Sequence, residues 1–262
     1  MKVAITGKGG VGKTTLGAGL ATLFARGGAR VIAVDADPDS NLAATLGFPE
    51  PGTITPLCQM QDLIAERTGA RAGAPGALFT LNPKVDDIPE TYCPKHDGIR
   101  LVVMGGGGRG GGSGCLCPEN AFLRAFMAHL VFGRQDVVIM DMEAGVEHLT
   151  RGTARGVEAL LVVVEPGQRS VETAGRIRRL AGDLGIANVV AVANKVRGEA
   201  DRAFLQQQLA DLEIAAFIPY ADGVVQSGMG PGGIAAALDG PVGQQIGRVQ
   251  RRLEELVGSG DA

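Results

Sequence analysis

The first segment that could do chemistry is a glycine-rich loop at residues 7–15. It reads Gly-Lys-Gly-Gly-Val-Gly-Lys-Thr-Thr, which has the spacing of a Walker A phosphate loop. Its glycines let backbone N–H groups turn towards phosphate oxygens, with the N-terminus of the next helix behind them. We expect Lys13 to contact the β- and γ-phosphates and Thr14 to hold Mg²⁺ through its hydroxyl group. The other loop residues predicted to bind the nucleotide are Gly9, Gly10, Val11, Gly12 and Thr15.

Carboxylates stand directly after two apolar segments of the chain. Asp35 and Asp37 come after residues 31–34, and Asp141 comes after residues 137–140. Ligand sites of open parallel sheets lie at the carboxyl ends of the strands. An apolar strand that ends in aspartate is the Walker B arrangement, so Asp141 is expected to bind Mg²⁺ directly or through water.

The elements that must position these residues follow from the hydrophobic pattern. Short β-branched runs alternate with segments of helical length, which predicts an α/β fold with a mostly parallel sheet flanked by helices. We expect about seven or eight strands in a single P-loop NTPase domain over residues 1–262, with an irregular elaboration at 48–98. The runs that read as buried strands are 3–5, 31–34, 101–103, 137–139, 160–164 and 189–192. Helices are predicted at 14–26, 123–132, 171–184 and 242–257, with Ser170 as the N-cap of the third.

The composition argues against several kinds of partner. The chain of 262 residues has a net charge of −3 and no tryptophan, which disfavours a nucleic-acid partner. Its longest apolar run, residues 159–164, is far too short to span a bilayer, and the N-terminus lacks the pattern of a signal peptide. We therefore expect a cytoplasmic protein that binds neither nucleic acid nor membrane.

A second lysine in the phosphate loop, Lys8, indicates a particular class of P-loop ATPase. The sequence G-K-G-G-V-G-K-T-T resembles the deviant Walker A motif of the SIMIBI-class ATPases. These include the nitrogenase iron protein, the partition and cell-division ATPases and the arsenite-pump ATPase. The resemblance implies a homodimer in which Lys8 reaches the partner's nucleotide and adds positive charge where negative charge develops. It also implies that Asp37 orients the attacking water and that Asp35 supports the strand end and the Mg²⁺ shell, so the predicted catalytic residues are Lys8, Lys13 and Asp37.

Asn194 and Lys195 close another buried strand and are candidates for the base pocket. An asparagine amide offers a donor and an acceptor in one plane, which matches the N6 and N7 edge of adenine. In the resembled family an asparagine at this strand end reads adenine, and Pro219 and Tyr220, which end the next strand, are expected to flank the base. No aspartate follows in the N-K-x-D arrangement of guanine readers, so ATP is favoured over GTP.

Two cysteines in a C-x-C arrangement, Cys115 and Cys117, form the candidate site for a second metal. They end a glycine-rich loop at residues 105–117, and Pro118 after them suits the first position of a helix, whose N-terminus favours thiolates. The side chains of one extended C-x-C pair point to opposite faces and make a poor site. Two pairs that face each other across a twofold axis supply four thiolates. By ligand chemistry alone, such a set suggests zinc or an iron–sulfur cluster first.

Three further segments carry a closer resemblance. They read Cys-Leu-Cys-Pro-Glu-Asn, Asp-Met-Glu-Ala-Gly-Val-Glu-His-Leu and Val-Val-Glu-Pro-Gly-Gln-Arg-Ser-Val-Glu-Thr-Ala. Together with the phosphate loop they resemble the carbon monoxide dehydrogenase maturation ATPases of the CooC type over nearly the whole chain. The resemblance implies an ATP-driven accessory protein that helps to insert nickel into the C-cluster of carbon monoxide dehydrogenase. It also implies that Cys115 and Cys117 bind Ni²⁺ or Zn²⁺ across a homodimer that uses ATP and Mg²⁺ and forms ADP.

Two other functions remain open at this point. One is an iron–sulfur cluster carrier or reductase that resembles the nitrogenase iron protein. The other is a ParA- or MinD-like positioning ATPase that works without a thiolate-bound metal. An apolar stripe near the C-terminus could be a membrane helix in the latter case, although core packing against the sheet is favoured. The stripe consists of Val242, Ile246, Val249, Leu253 and Leu256.

Overall fold

The chain folds around one central β-sheet in the computed structural model. The structure describes residues 1–37, 39–70, 78–105, 118–132, 137–143, 156–227 and 233–258. The strands in these residues are β1 (Lys2–Gly7), β2 (Val31–Ala36), β3 (Lys95–His96), β4 (Ile99–Val103), β5 (Val137–Met142), β6 (Ala159–Val164), β7 (Val189–Val196) and β8 (Ile214–Pro219). Their order in the sheet is β3-β4-β2-β5-β1-β6-β7-β8. All neighbours are parallel except β3 and β4, so the predicted mostly parallel sheet is confirmed.

Helices connect the strands and cover the sheet. They are α1 (Lys13–Arg26), α2 (Leu42–Thr45), α3 (Gln61–Thr68), α4 (Ile88–Thr91), α5 (Pro118–Phe132), α6 (Gln168–Leu184), α7 (Glu199–Gln208), α8 (Asp222–Ser227) and α9 (Pro241–Gly258). Short 3₁₀ helices lie at Pro51–Thr53, Leu57–Gln59 and Gly233–Asp239. In its described residues, the segment predicted as an irregular elaboration, 48–98, therefore holds α3, α4, two 3₁₀ helices and the antiparallel edge strand β3. Pro118 begins α5 as predicted, although that helix starts five residues earlier than its apolar pattern indicated.

The prediction that Ser170 is an N-cap is wrong. Helix α6 begins at Gln168, and Gly167 occupies the N-cap position without a side-chain hydrogen bond. Ser170 is buried inside the first turn, where its hydroxyl oxygen accepts a hydrogen bond from the backbone N–H of Glu165 at 3.1 Å. The serine thus fixes the turn between β6 and α6, because it bonds a backbone group that precedes the helix.

The strands between the two edges of the sheet are buried on both faces, and each face has its own apolar layer. Alternate residues of a strand point to opposite sides, so Ala4 packs in one layer and Ile5 in the other. Phe122 of α5 and Ile177 of α6 fill the first layer, while α1 and α9 fill the second. This is the layered arrangement that near-continuous apolar strands require.

The apolar stripe of α9 packs against the body of the protein. Val242, Ile246, Val249 and Leu253 are buried, and α9 contacts α1 and β8. The core-packing interpretation of this stripe is therefore confirmed. In the part of the chain that the structure describes, no helix is both long enough and apolar enough to cross a bilayer.

Candidate nucleotide site

The phosphate loop connects the end of β1 to the start of α1. Gly10 and Gly12 adopt positive φ angles of 78° and 96°, which side chains with a Cβ atom rarely adopt. A Cβ atom at Gly12 would also collide with the amide nitrogen of Asn194. Glycine at position 12 therefore allows the close approach of β7 to the loop. Lys13 begins α1 and is buried beneath the loop.

Two buried carboxylates stand side by side at the carboxyl edge of the sheet. The register of β2 and β5 pairs Asp35 with Asp141, and neither side chain reaches solvent. One Asp35 oxygen accepts hydrogen bonds from the Ser40 hydroxyl at 2.6 Å and the Leu42 N–H at 3.0 Å. The other accepts from the Asp37 N–H at 3.3 Å. Asp35 thus organises the turn after β2, in keeping with the predicted support of the strand end.

Asp141 has the environment of a magnesium ligand. Burial, assisted by the nearby charge of Asp35, raises the pKa of the Asp141 carboxyl to about 7, while the Thr14 hydroxyl donates a hydrogen bond to it and Lys13 lies near enough to oppose the rise. One carboxyl oxygen of Asp141 is buried without a hydrogen-bond partner among the described residues. An orphaned carboxylate oxygen beside a threonine hydroxyl fits the all-oxygen ligand set that Mg²⁺ prefers. The residues present are therefore suited to hold the ion predicted from sequence.

The raised pKa of Asp141 has a consequence for stability. A carboxyl whose folded-state pKa exceeds its unfolded value binds its proton more tightly in the folded state, so stability falls as pH rises from about 4 to about 7. In metal-free and nucleotide-free protein, we expect Asp141→Asn to raise the free energy of unfolding at pH 8 by roughly 2–4 kcal/mol. The gain should fade towards pH 4. Denaturant unfolding at several pH values measures it, and Asp211→Asn at an exposed site is the control. A variant less stable than wild type at pH 8 would contradict this assignment.

A cavity of about 220 Å³ lies beside the phosphate loop, at the ends of β7 and β8. Its wall is formed by residues from the loop, α1, β7, β8, the segment after β8, α8 and α9. They are Gly10, Gly12, Thr15, Leu16, Asn194, Lys195, Ile218, Pro219, Tyr220, Ala221, Val224, Val242 and Ile246. The structure thus brings together Asn194, Lys195 and Pro219, which were predicted for the base pocket. The Tyr220 ring is also held there, because the guanidinium of Arg197 lies 4.9 Å from its centroid.

Asn194 connects the cavity to the phosphate loop. Its amide nitrogen donates to the Val11 carbonyl at 2.7 Å, and its amide oxygen accepts from the Lys195 N–H at 2.9 Å. An asparagine amide has two N–H groups and two acceptor positions, so these bonds use half of its capacity. The remaining donor and acceptor are what recognition of an adenine edge requires. Contact with the base itself stays a prediction.

The structure adds one residue to the site that the sequence analysis did not single out, Glu165. It follows β6 directly, and its carboxylate lies 3.5 Å from Lys8 Nζ and 3.1 Å from Lys195 Nζ. Lys195 Nζ also donates to the Gly10 carbonyl at 2.6 Å. A charged residue directly after an apolar run is the signal that could have identified Glu165, since Asp35 and Asp141 also follow such runs.

The predicted thiolate site, Cys115 and Cys117, lies outside the described residues. Among the residues that are described, no group of three or more His, Cys, Asp and Glu side chains is arranged to hold a metal ion. Cys58 and Cys93 are both buried, and burial raises the pKa of each thiol, that of Cys93 to about 12. Neither cysteine is therefore disposed to form a thiolate in this conformation.

The sheet and the phosphate loop together define the class of protein to which the chain belongs. A strand that runs into a glycine-rich loop, with the helix N-terminus behind it and aspartates at the neighbouring strand ends, is the nucleotide site of a P-loop NTPase. Residues 2–229 match the model of the CobQ/CobB/MinD/ParA nucleotide binding domain, and the chain belongs to this family of P-loop ATPases. The prediction of an ATPase is confirmed at the level of the family.

Two individual proteins of the family are similar to this chain over most of its length. The carbon monoxide dehydrogenase accessory protein CooC of Rhodospirillum rubrum is 44% identical over 229 residues, which span 87% of this chain and 86% of that protein. An ATP-binding protein of Methanocaldococcus jannaschii is 46% identical over 230 residues, 87% of this chain and 88% of that protein. The resemblance to the CooC type, drawn from short segments, is confirmed over most of the chain.

Solved structures agree with the fold. A chain of the MinC:MinD cell division protein complex of Aquifex aeolicus superposes with a TM-score of 0.70 at 22% identity, over 97% of this chain and 95% of that one. MinD of Pyrococcus horikoshii, complexed with Mg-ADP, superposes with a TM-score of 0.66 at 19% identity, over 98% of this chain and 96% of that one. At these identities the likeness establishes the fold alone.

Proposed function

We propose that the chain is an ATP-hydrolysing accessory protein that dimerises around ATP, binds nickel between its subunits and helps to insert it into carbon monoxide dehydrogenase. The observation that supports this client is the 44% identity with the CooC protein of Rhodospirillum rubrum. The observation that supports ATP chemistry is the phosphate loop beside the orphaned Asp141 oxygen. The protein is proposed to carry out this function in the cytoplasm.

Each residue of the nucleotide site has a role in this proposal. Loop residues 9–15 bind the phosphates, with Lys13 supplying a buried positive charge. Thr14 and Asp141 hold Mg²⁺, which when bound neutralises charge on the β- and γ-phosphates. Asp37, half-buried at the end of β2, orients the attacking water. Asn194, Lys195 and Pro219 line the cavity that receives the adenine.

Lys8 is proposed to act on the nucleotide of the partner subunit. Its side chain is 40% exposed at the mouth of the loop, whereas Lys13 is buried. A partly exposed lysine on a loop that is tied down at Gly10 and Val11 can reach beyond its own subunit without rearranging the loop. A positive charge from the partner would then stabilise the charge that develops during γ-phosphate transfer.

The metal is proposed to lie between the Cys115–Cys117 pairs of the two subunits. The thiolates are the soft ligands that nickel and zinc accept, and the choice of nickel rests on the similarity to the CooC protein. Closure of the dimer around ATP should change how the two pairs face each other. Metal affinity and ATP affinity are then coupled, and linkage makes the coupling reciprocal.

Replacement of both Cys115 and Cys117 with serine tests this site. We expect the double variant to lose tight metal binding, by at least about a hundredfold in affinity, and to keep ATP binding. Ni²⁺ and Zn²⁺ titrations of both proteins, with and without a non-hydrolysable ATP analogue, measure it. The matched control replaces the buried Cys58 and Cys93 with serine. Equal metal affinity in wild type and the Cys115/Cys117 variant would refute the site, and equal affinity with and without nucleotide would refute the coupling.

Analysis of the purified protein also distinguishes the accessory protein from the iron–sulfur carrier and the positioning ATPase. An iron–sulfur carrier purified without oxygen would be brown and would contain iron and sulfide. A positioning ATPase would bind DNA or lipid vesicles, and its activity would not depend on nickel or zinc. Nickel or zinc bound at Cys115 and Cys117 in a protein that contains neither iron nor sulfide favours the accessory protein over both.

A further inference from the structure

Glu165 pairs with two lysines, one in the phosphate loop and one at the end of β7. One carboxylate oxygen lies 3.5 Å from Lys8 Nζ, and the other lies 3.1 Å from Lys195 Nζ. Lys8 belongs to the loop after β1, Lys195 to the end of β7, and Glu165 to the end of β6, which lies between those strands in the sheet. The carboxylate therefore sits where the topology brings both lysines together.

The surrounding structure holds this arrangement firmly. The backbone N–H of Glu165 donates to the Ser170 hydroxyl at 3.1 Å. This hydrogen bond fixes the backbone position from which the Glu165 side chain extends. Lys195 adopts a left-handed backbone conformation with φ of 58°, which is unfavourable for a residue with a Cβ atom. Such a conformation persists only where neighbouring contacts enforce it, and it often marks a functional site. The contacts here are the bonds from Lys195 to Gly10 and Glu165.

We propose that Glu165 is a positioning residue that holds Lys8 on its own subunit until ATP-driven dimerisation draws it away. This inference rests on the proposed action of Lys8 across the dimer. An ammonium group bound to a carboxylate at 3.5 Å must leave it before it can bind phosphate oxygens of another subunit. Glu165 thus opposes dimerisation, and only a partner site with enough negative charge overcomes it. Lys195 stays behind with Glu165 and Gly10, so the loop keeps its shape when Lys8 leaves.

Glu165→Gln removes the charge and keeps the size of the side chain. Each subunit gives up one partly exposed ion pair on dimerisation, and such a pair changes an equilibrium by roughly 1.4- to 5-fold. Because a dimer breaks two pairs, we expect the dissociation constant of the ATP-bound dimer to fall on the order of tenfold. Sedimentation velocity at a saturating non-hydrolysable ATP analogue measures this constant separately from nucleotide affinity. The matched control is Glu158→Gln at the other end of β6, where the carboxylate pairs with the N-terminal amine.

A second measurement tests the ion pair in the monomer, without nucleotide. The acylation rate of Lys8 by an amine-reactive reagent, read by mass spectrometry, should rise about threefold in Glu165→Gln, because the carboxylate no longer holds the ammonium group. Lys84, which is well exposed and pairs only with Asp86 in the described structure, should react at the same rate in both proteins. An unchanged Lys8 rate would overturn the proposal even if the variant is less stable than wild type.

Two further variants, Lys8→Ala and Lys8→Ala combined with Glu165→Gln, distinguish a failure of the Glu165 proposal from a failure of the proposed role of Lys8. The proposal predicts that Lys8→Ala loses dimers and that Glu165→Gln does not restore them in its presence. If Lys8→Ala loses dimers and Glu165→Gln leaves the dissociation constant unchanged or raises it, the Glu165 proposal is wrong and the role of Lys8 stands. If Lys8→Ala dimerises as wild type does, Lys8 does not drive assembly and the Glu165 proposal fails. If its turnover is unchanged as well, the action of Lys8 across the interface also fails. Tightening by Glu165→Gln in the Lys8→Ala background would likewise overturn the proposal, because Glu165 would then act through another group.

Discussion

Replacement of Asp37 with alanine should leave ATP binding within about twofold of wild type and lower the hydrolysis rate by about two to four orders of magnitude. Asp37 is half-buried beyond β2, and its own backbone N–H is held by Asp35. Its carboxylate also accepts a hydrogen bond from the Asp39 N–H at 3.0 Å, which orients it. A group that orients water contributes to the transition state and little to the bound ground state. Its loss therefore lowers kcat more than it changes affinity.

The measurement pairs a nucleotide-binding titration with the steady-state rate of phosphate release. Lys13→Ala gives the contrasting result, because a buried lysine of the phosphate loop contributes to binding itself and its removal should abolish detectable ATP binding. Asp39→Ala is the matched control, since only backbone atoms of Asp39 take part in the hydrogen bonds described around this turn. Hydrolysis near the wild-type rate in Asp37→Ala would remove the assigned role.

Replacement of Lys8 with alanine is the second change with a large expected effect. The variant should bind ATP with nearly wild-type affinity, because Lys8 pairs with Glu165 rather than with the base cavity of its own subunit. It should form ATP-dependent dimers poorly, and its turnover should fall by about a thousandfold, the lower end of the effect of a cationic group supplied in trans during phosphoryl transfer.

Light scattering with the ATP analogue and phosphate release with ATP measure the two parts of this prediction. Lys84→Ala is the control, because it removes one lysine charge at an exposed position far from the loop in sequence. Unchanged ATP-dependent dimers together with unchanged turnover in Lys8→Ala would count decisively against the role. Dimers that persist while turnover falls would place Lys8 in catalysis alone.

The strands and the phosphate loop could be predicted because their signals are local. Buried parallel strands are continuous apolar runs, and the nine residues of the loop carry their whole motif in one stretch of chain. The start of α5 was harder to predict, because polar Glu119 and Asn120 interrupt its pattern. The structure shows Phe122 and Phe126 on one buried face. The four-residue spacing of Phe122 and Phe126 is helical, and it would have extended the predicted helix towards the N-terminus as far as Phe122.

Glu165 shows what a local pattern leaves out. Its partners are Lys8, in a loop near the N-terminus, and Lys195, which lies 30 residues further along the chain. Their proximity depends on the order β1-β6-β7 in the sheet, which the apolar runs alone do not specify. Ser170 was misassigned for a related reason. A serine near a helix start satisfies the N-cap pattern, but here its hydroxyl bonds a backbone group before the helix.

The central proposal is that ATP assembles a dimer that holds one metal ion between its subunits. Native mass spectrometry of the protein with Ni²⁺ and a non-hydrolysable ATP analogue tests it in one measurement. The proposal predicts a species with two chains, two nucleotides and one nickel ion. It also predicts the same dimer without nickel when Cys115 and Cys117 are both serine. Nickel bound to single chains, or bound equally by the serine variant, would contradict it.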